Sequence, residues 1–153
     1  MTKANLWILP GLLILAQACF QNIEKEAPAM KTPEDFKITF GEGGGFTGRW
    51  KGYTIAADGS VSAWQGRVAA QGAKPVGSLS AEQCATIWQN LNKSGFLDIE
   101  ASEAGNMTRI IHVFANGREY KKRWPMTGSE NENSVAVTIY NLCQRSVATL
   151  KEK

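Results

Sequence analysis

Residues 36–40 alternate: Phe36, Ile38 and Phe40 are apolar while Lys37 and Thr39 are polar, the two-residue period of a half-buried strand. Alternation returns on both sides of Asp58-Gly59. Tyr53-Thr54-Ile55-Ala56 leads in and Val61-Ser62-Ala63-Trp64 leads out, which predicts a β-hairpin. A loop over 57–59 with Gly59 left-handed sets Ile55 opposite Val61 and Tyr53 opposite Ala63. That register gathers the apolar side chains on one face, whereas a two-residue loop sets Ile55 against Ser62. The period then lengthens. Cys84, Ile87, Trp88 and Leu91 fall at i, i+3, i+4 and i+7, the stripe of a helix opened by the capping box Ser80-Ala81-Glu82-Gln83 and ended near Gly95. Asn116-Gly117 centres a second predicted hairpin, with Val113 opposite Tyr120 and Pro125 stopping the outgoing strand. Val135, Ile139, Leu142, Ser146 and Leu150 mark a last helix behind a second capping box, Ser129-Glu130-Asn131-Glu132, with Cys143 on the edge of the stripe.

Strand, hairpin, helix, hairpin, helix is the order. Short turns make neighbouring strands antiparallel, and two amphipathic helices must bury their stripes. The expected fold is α+β: an antiparallel sheet of about five strands with two helices packed on one face. The glycine-rich stretch 41–48 reads as a flexible or bulged connection, and 71–79 as a connector. The chain has 153 residues, 43% apolar and 20% charged, enough for a single α+β domain over 33–153 to bury a core without a metal or a dense disulfide framework.

The N-terminus has a different character. Residues 6–18 (LWILPGLLILAQA) carry no charge, Lys3 precedes them and Pro10-Gly11 interrupts them. Thirteen helical residues reach about 20 Å, short of the roughly 30 Å of a bilayer's hydrocarbon core, so a cleaved signal peptide over 1–18 is expected rather than a permanent span. Leu15-Ala16-Gln17-Ala18-Cys19 resembles the bacterial lipobox, which implies lipidation of Cys19. A polar, flexible tether then runs to residue 32. Ala16-Gln17-Ala18 also has the A-x-A form cut by ordinary signal peptidase, which would release a soluble secreted or periplasmic chain. With Cys19 acylated, Cys84 and Cys143 are left as an even pair. An oxidising compartment would allow a disulfide, or the two serve as small buried hydrophobes; their spacing does not choose.

The stretches 52–61 (GYTIAADGSV) and 91–97 (LNKSGFL) resemble small exported bacterial lipoproteins of unknown function. These share a first hairpin of this form, a helix ending in Leu-x-x-x-Gly-Phe, a second hairpin and a final helix. The resemblance covers about residues 36–150. It implies the hairpin-helix-hairpin-helix architecture and an envelope address, and it supplies no catalytic residues.

Candidate chemistry is sparse. Residues 43–48 match G-x-G-x-x-G, but the dinucleotide use of that pattern needs a helix N-terminus after it, and 49–55 reads as strand. His112, the single histidine, falls on a strand with Ile110 and Phe114 on its face, and no H-E-x-x-H, C-x-x-C or G-x-S-x-G occurs, so no metal, cofactor or catalytic residue is predicted. Seventeen Lys+Arg against fourteen Asp+Glu give +3, too dispersed for nucleic acid. Phe46, Arg49 and Trp50 in the glycine-rich stretch, and Lys121 and Arg123 on one face of the last strand, are the candidate partner contacts, with Arg109 expected beside Arg123. Lys121-Lys122-Arg123 otherwise reads as an edge strand guarded by charge. The expected function is a non-enzymatic, membrane-tethered binding module of the cell envelope. Its expected partners are the lipid bilayer, through the anchor, and an envelope protein or polymer. The alternatives are a small carboxylate-dependent hydrolase, drawing on Glu42, Asp58, Asp98, Glu100 or Glu103, and a secreted inhibitor using the glycine-rich stretch.

Overall fold

The structure, a computed structural model, describes residues 30–99, 104–126 and 134–150. The expected signal peptide, Cys19, nearly all of the tether and the Ser129–Glu132 capping box lie outside the described residues. Six strands form one antiparallel sheet: β1 (Lys37–Gly44), β2 (Arg49–Ala56), β3 (Ser60–Gly66), β4 (Lys74–Ser78), β5 (Met107–Ala115) and β6 (Arg118–Pro125), in the order β4-β3-β2-β1-β5-β6. Helices α1 (Ala81–Lys93) and α2 (Val135–Ala148) pack on one face of it. The fold is α+β, with six strands where about five were expected. The sixth is β4, inside the segment read as a connector. All five of its residues are exposed, and with Pro75 and Gly77 among them it has no apolar alternation to betray it.

Both hairpins have the expected registers, Ile55 against Val61 and Tyr53 against Ala63 in the first and Val113 against Tyr120 in the second. The first turn closes through Gly59 N–H to the Ala56 carbonyl (2.9 Å). Gly59 sits at φ +84°, where a side chain would be strained. The glycine-rich stretch is not a loose connection. β1 continues to Gly44, paired with β2 on one side and β5 on the other, and only the tip at 45–48 turns.

Alternation assigns the two faces. Ile38, Phe40, Ile55, Val61, Ile111, Val113 and Trp124 point at the helices and meet Ile87, Trp88, Leu91, Ile139, Tyr140 and Val147 in one core. α1 carries the expected stripe and the expected reciprocal capping box: Gln83 N–H donates to Ser80 Oγ (3.2 Å) and Ser80 N–H to Gln83 Oε1 (2.9 Å). α2 differs. Its N-cap is Ser134, and its buried side chains are Ala136, Val137, Ile139, Tyr140, Cys143 and Val147, rotated from the expected stripe and wider than it. The helix touches both the sheet and α1, so a broader arc is apolar.

The outer face has its own packing. Trp64 is only 3% exposed although it points away from the helices. Its indole lies across the backbones of Gly52 on the adjacent β2 and Gly41 on β1 beyond it, where a Cβ on Gly41 would come within 2.6 Å of Trp64 Cη2. Trp50 lies over Gly43 in the same way. The glycines of β1 and β2 are thus the floor for two indoles.

Candidate functional site

The two helices do not cover the whole sheet. α1 sits at the end where β1 begins, its Trp88 edge-on to Phe36 with ring centroids 5.7 Å apart. At the other end, beyond Tyr140, the helix-side face opens into a groove of ≈ 820 Å³. Its floor is β2 and β3 (Lys51, Tyr53, Ala63, Gln65). Gln144 of α2 lies on one side and Gly72, Lys74 and Val76 around β4 on the other; Glu42 and Arg49 lie at its end.

The inner wall is a connected polar network. Lys51 Nζ is 3.1 Å from Glu42 Oε1, and register places Glu42 between Lys51 and Arg109. Gln144 Nε2 donates to the Tyr140 hydroxyl (3.0 Å), the Arg109 guanidinium carbon stands 5.1 Å from the Tyr140 ring centroid, and the ring is edge-on to Phe40 and Trp124. Burial pushes the Tyr140 hydroxyl up to about 12, the Gln144 bond works against that shift, and the Glu42 charge and hydrogen bond reinforce it. Tyr140 therefore stays a neutral donor across the physiological range. Charge is held by the cations and Glu42, and the hydroxyl is a fixed positioning group between them.

The sequence-predicted contacts divide between two places. Phe46 is fully exposed at the β1–β2 tip, Arg49 is exposed at the start of β2 and lines the groove, and Trp50 is half-buried on the outer face over Gly43. Lys121 and Arg123 stand on the outer face of the edge strand β6, with Lys121 Nζ 3.0 Å from Glu119 Oε2. Three intervening pairings separate β6 from β2, so the five do not form one patch. Arg109 does not enlarge the β6 patch. It is paired with Trp124, one residue on from Arg123, so it faces the helices and Tyr140. Lys122 also turns inward and donates to the Ile99 carbonyl.

His112 lies on the outer face, between Thr39 and Lys121 in register. Burial lowers its pKa and the Lys121 charge adds to that, with Glu119 opposing. Cys84 and Cys143 are both buried free thiols in the core. Among the described residues no three of His, Cys, Asp and Glu are grouped to hold a metal ion, and no helix is long and apolar enough to cross a membrane.

Tyr53, Gln65, Lys74, Tyr140 and Gln144 did not emerge from the sequence as a group. They come from four separate stretches and look individually like ordinary surface or core residues. The signal that was available is modest: Tyr53, Ala63 and Gln65 follow from the hairpin register once its helix-side face is known. No protein-family profile matches the chain, and comparison with curated proteins finds no match.

Proposed function

We propose that this chain is a non-enzymatic binding module of the bacterial cell envelope, tethered to a membrane through an acylated Cys19, whose groove end meets an envelope protein or polymer. The observation that best supports this reading is the separation of the two ends of the sheet. The chain enters at Asp35, which accepts backbone hydrogen bonds from the β5–β6 turn, and the groove, Phe46 and Arg49 lie at the opposite end. Strands of eight residues put roughly 26 Å between those ends. A tether leaving one end therefore leaves the other free to contact a partner. The resemblance to small exported lipoproteins supports the same address.

Fractionation and cross-linking test it together. Cys19→Ser is expected to move the protein from the membrane fraction to the soluble one. A photo-reactive residue at position 65, in the groove, is expected to capture an envelope component in intact cells that the same residue at position 119, on the outer face of β6, does not. Recovery of the unprocessed chain from cytosol with Met1 in place would overturn the reading. Phe46, fully exposed at a hairpin tip, favours a second reading as an inhibitor. A stoichiometric protein complex lost in Phe46→Ala and retained in Lys74→Glu would select that one.

A further inference from the structure

Charge is unequal in the groove. Arg49, Lys51 and Lys74 line it against a single carboxylate, Glu42, so three cations face one anion. Glu42 is already occupied by Lys51 at 3.1 Å. Among the described residues neither Arg49 nor Lys74 has an ion-pair partner. An anion entering here meets two cations whose charge nothing else in the groove neutralises.

The remaining polar groups are amides. Gln65 is exposed and its side-chain amide has no hydrogen bond to a described residue, and the Gln144 amide commits only Nε2, on Tyr140 at 3.0 Å. An amide both donates and accepts, which matches hydroxyl groups that do the same. Tyr53, Ala63 and Val76 add apolar surface for a ring to lie on. The volume of ≈ 820 Å³ falls inside the roughly 300–1,000 Å³ of small-ligand sites.

We infer that the groove binds an anionic saccharide: a hydroxyl-bearing sugar ring with a carboxylate or phosphate set against Arg49 and Lys74 and its hydroxyls against Gln65 and Gln144. The inference rests on the binding-module reading only in taking the groove as the binding end, and it names the chemistry of what binds.

Titration calorimetry on the full-length chain in detergent tests it with four probes: glucuronate, glucose 6-phosphate, neutral glucose and inorganic phosphate. Saturable binding of glucuronate or glucose 6-phosphate at millimolar concentration or below is expected, and whichever binds more tightly identifies the acid group. Lys74→Glu, on an exposed edge strand, should weaken that binding by about tenfold or more, with the loss shrinking at high salt. Gln65→Ala should weaken it severalfold, and Lys121→Glu, a cation outside the groove, should leave it unchanged. Four results would overturn the inference: no saturable binding of either acid sugar; glucose bound as tightly as the acid sugars; phosphate alone matching glucose 6-phosphate while glucuronate does not bind; or wild-type affinity in Lys74→Glu. Processing and membrane partition of Cys19→Ser do not depend on these titrations. A failed titration leaves the envelope address standing, and a failed fractionation leaves the chemistry of the groove standing.

Discussion

Asp35 accepts hydrogen bonds from the backbone N–H groups of Asn116 (2.8 Å) and Gly117 (2.7 Å), joining the start of the domain to a turn more than eighty residues away. The Gly117 bond, then the Asn116 bond, hold its carboxyl below the ordinary 3.8, because hydrogen bonds to the charged form favour it. Since the folded pKa is the lower one, this stabilisation is complete above the unfolded value and disappears as pH falls through the folded value. Asp35→Ala should lower the melting temperature at neutral pH and flatten the loss of stability below about pH 4, which thermal melts across a pH series would show. Burial acts in the opposite direction on the two core thiols. It raises Cys84, with the Asp58 charge adding to the effect, and lifts Cys143 to about 12. A thiol reagent applied to the native chain should therefore modify neither position, and both should react once the chain is unfolded, as peptide mapping would resolve. Recovery of a Cys84–Cys143 disulfide peptide would contradict this.

At the scale of elements, what was legible in the sequence is what local chemistry dictates. Asp58-Gly59 and Asn116-Gly117 fix turns because few residues tolerate positive φ, and Ser80 with Gln83 satisfies the first orphan N–H groups of α1. β4 was not legible because every side chain on it is exposed; the sheet recruits it by backbone pairing across a bulge after Val61. The α2 stripe was displaced because Tyr140, polar at its tip, is buried in a network that the helix pattern alone does not reveal. The glycines of β1 were misread for a related reason. Glycine suggests looseness, yet Gly41 is held in a six-stranded sheet opposite Gly52, and Trp64 occupies the space that side chains at both positions would need. Gly52→Ala should accordingly destabilise the protein by about 1–3 kcal/mol in chemical denaturation, through crowding against Trp64 and the Phe40 carbonyl.

For the molecule as a whole, the helices and the helix-side residues of the central strands share one continuous core, so they should unfold together. Thermal transitions followed by far-ultraviolet and near-ultraviolet circular dichroism are expected to coincide, and a separate early loss of helix would contradict the single-core description. The groove belongs to this scale too. It exists because two helices are too few to roof six strands, and no short stretch of sequence encodes that shortfall. Lys51, Gln65, Lys74 and Gln144 acquire a common role only after the sheet order brings β2, β3, β4 and the later half of α2 together.

The central position of β1 has a mechanical consequence. The first strand of the domain is hydrogen-bonded along its whole length to β2 on one flank and β5 on the other. Under the proposed tethering, tension between residues N-terminal to β1 and a partner held at the far rim would run parallel to the strands and load both ladders in shear. Rows of hydrogen bonds would then have to break together rather than unzip one by one, so a pull along β1 would meet more resistance than a pull across it.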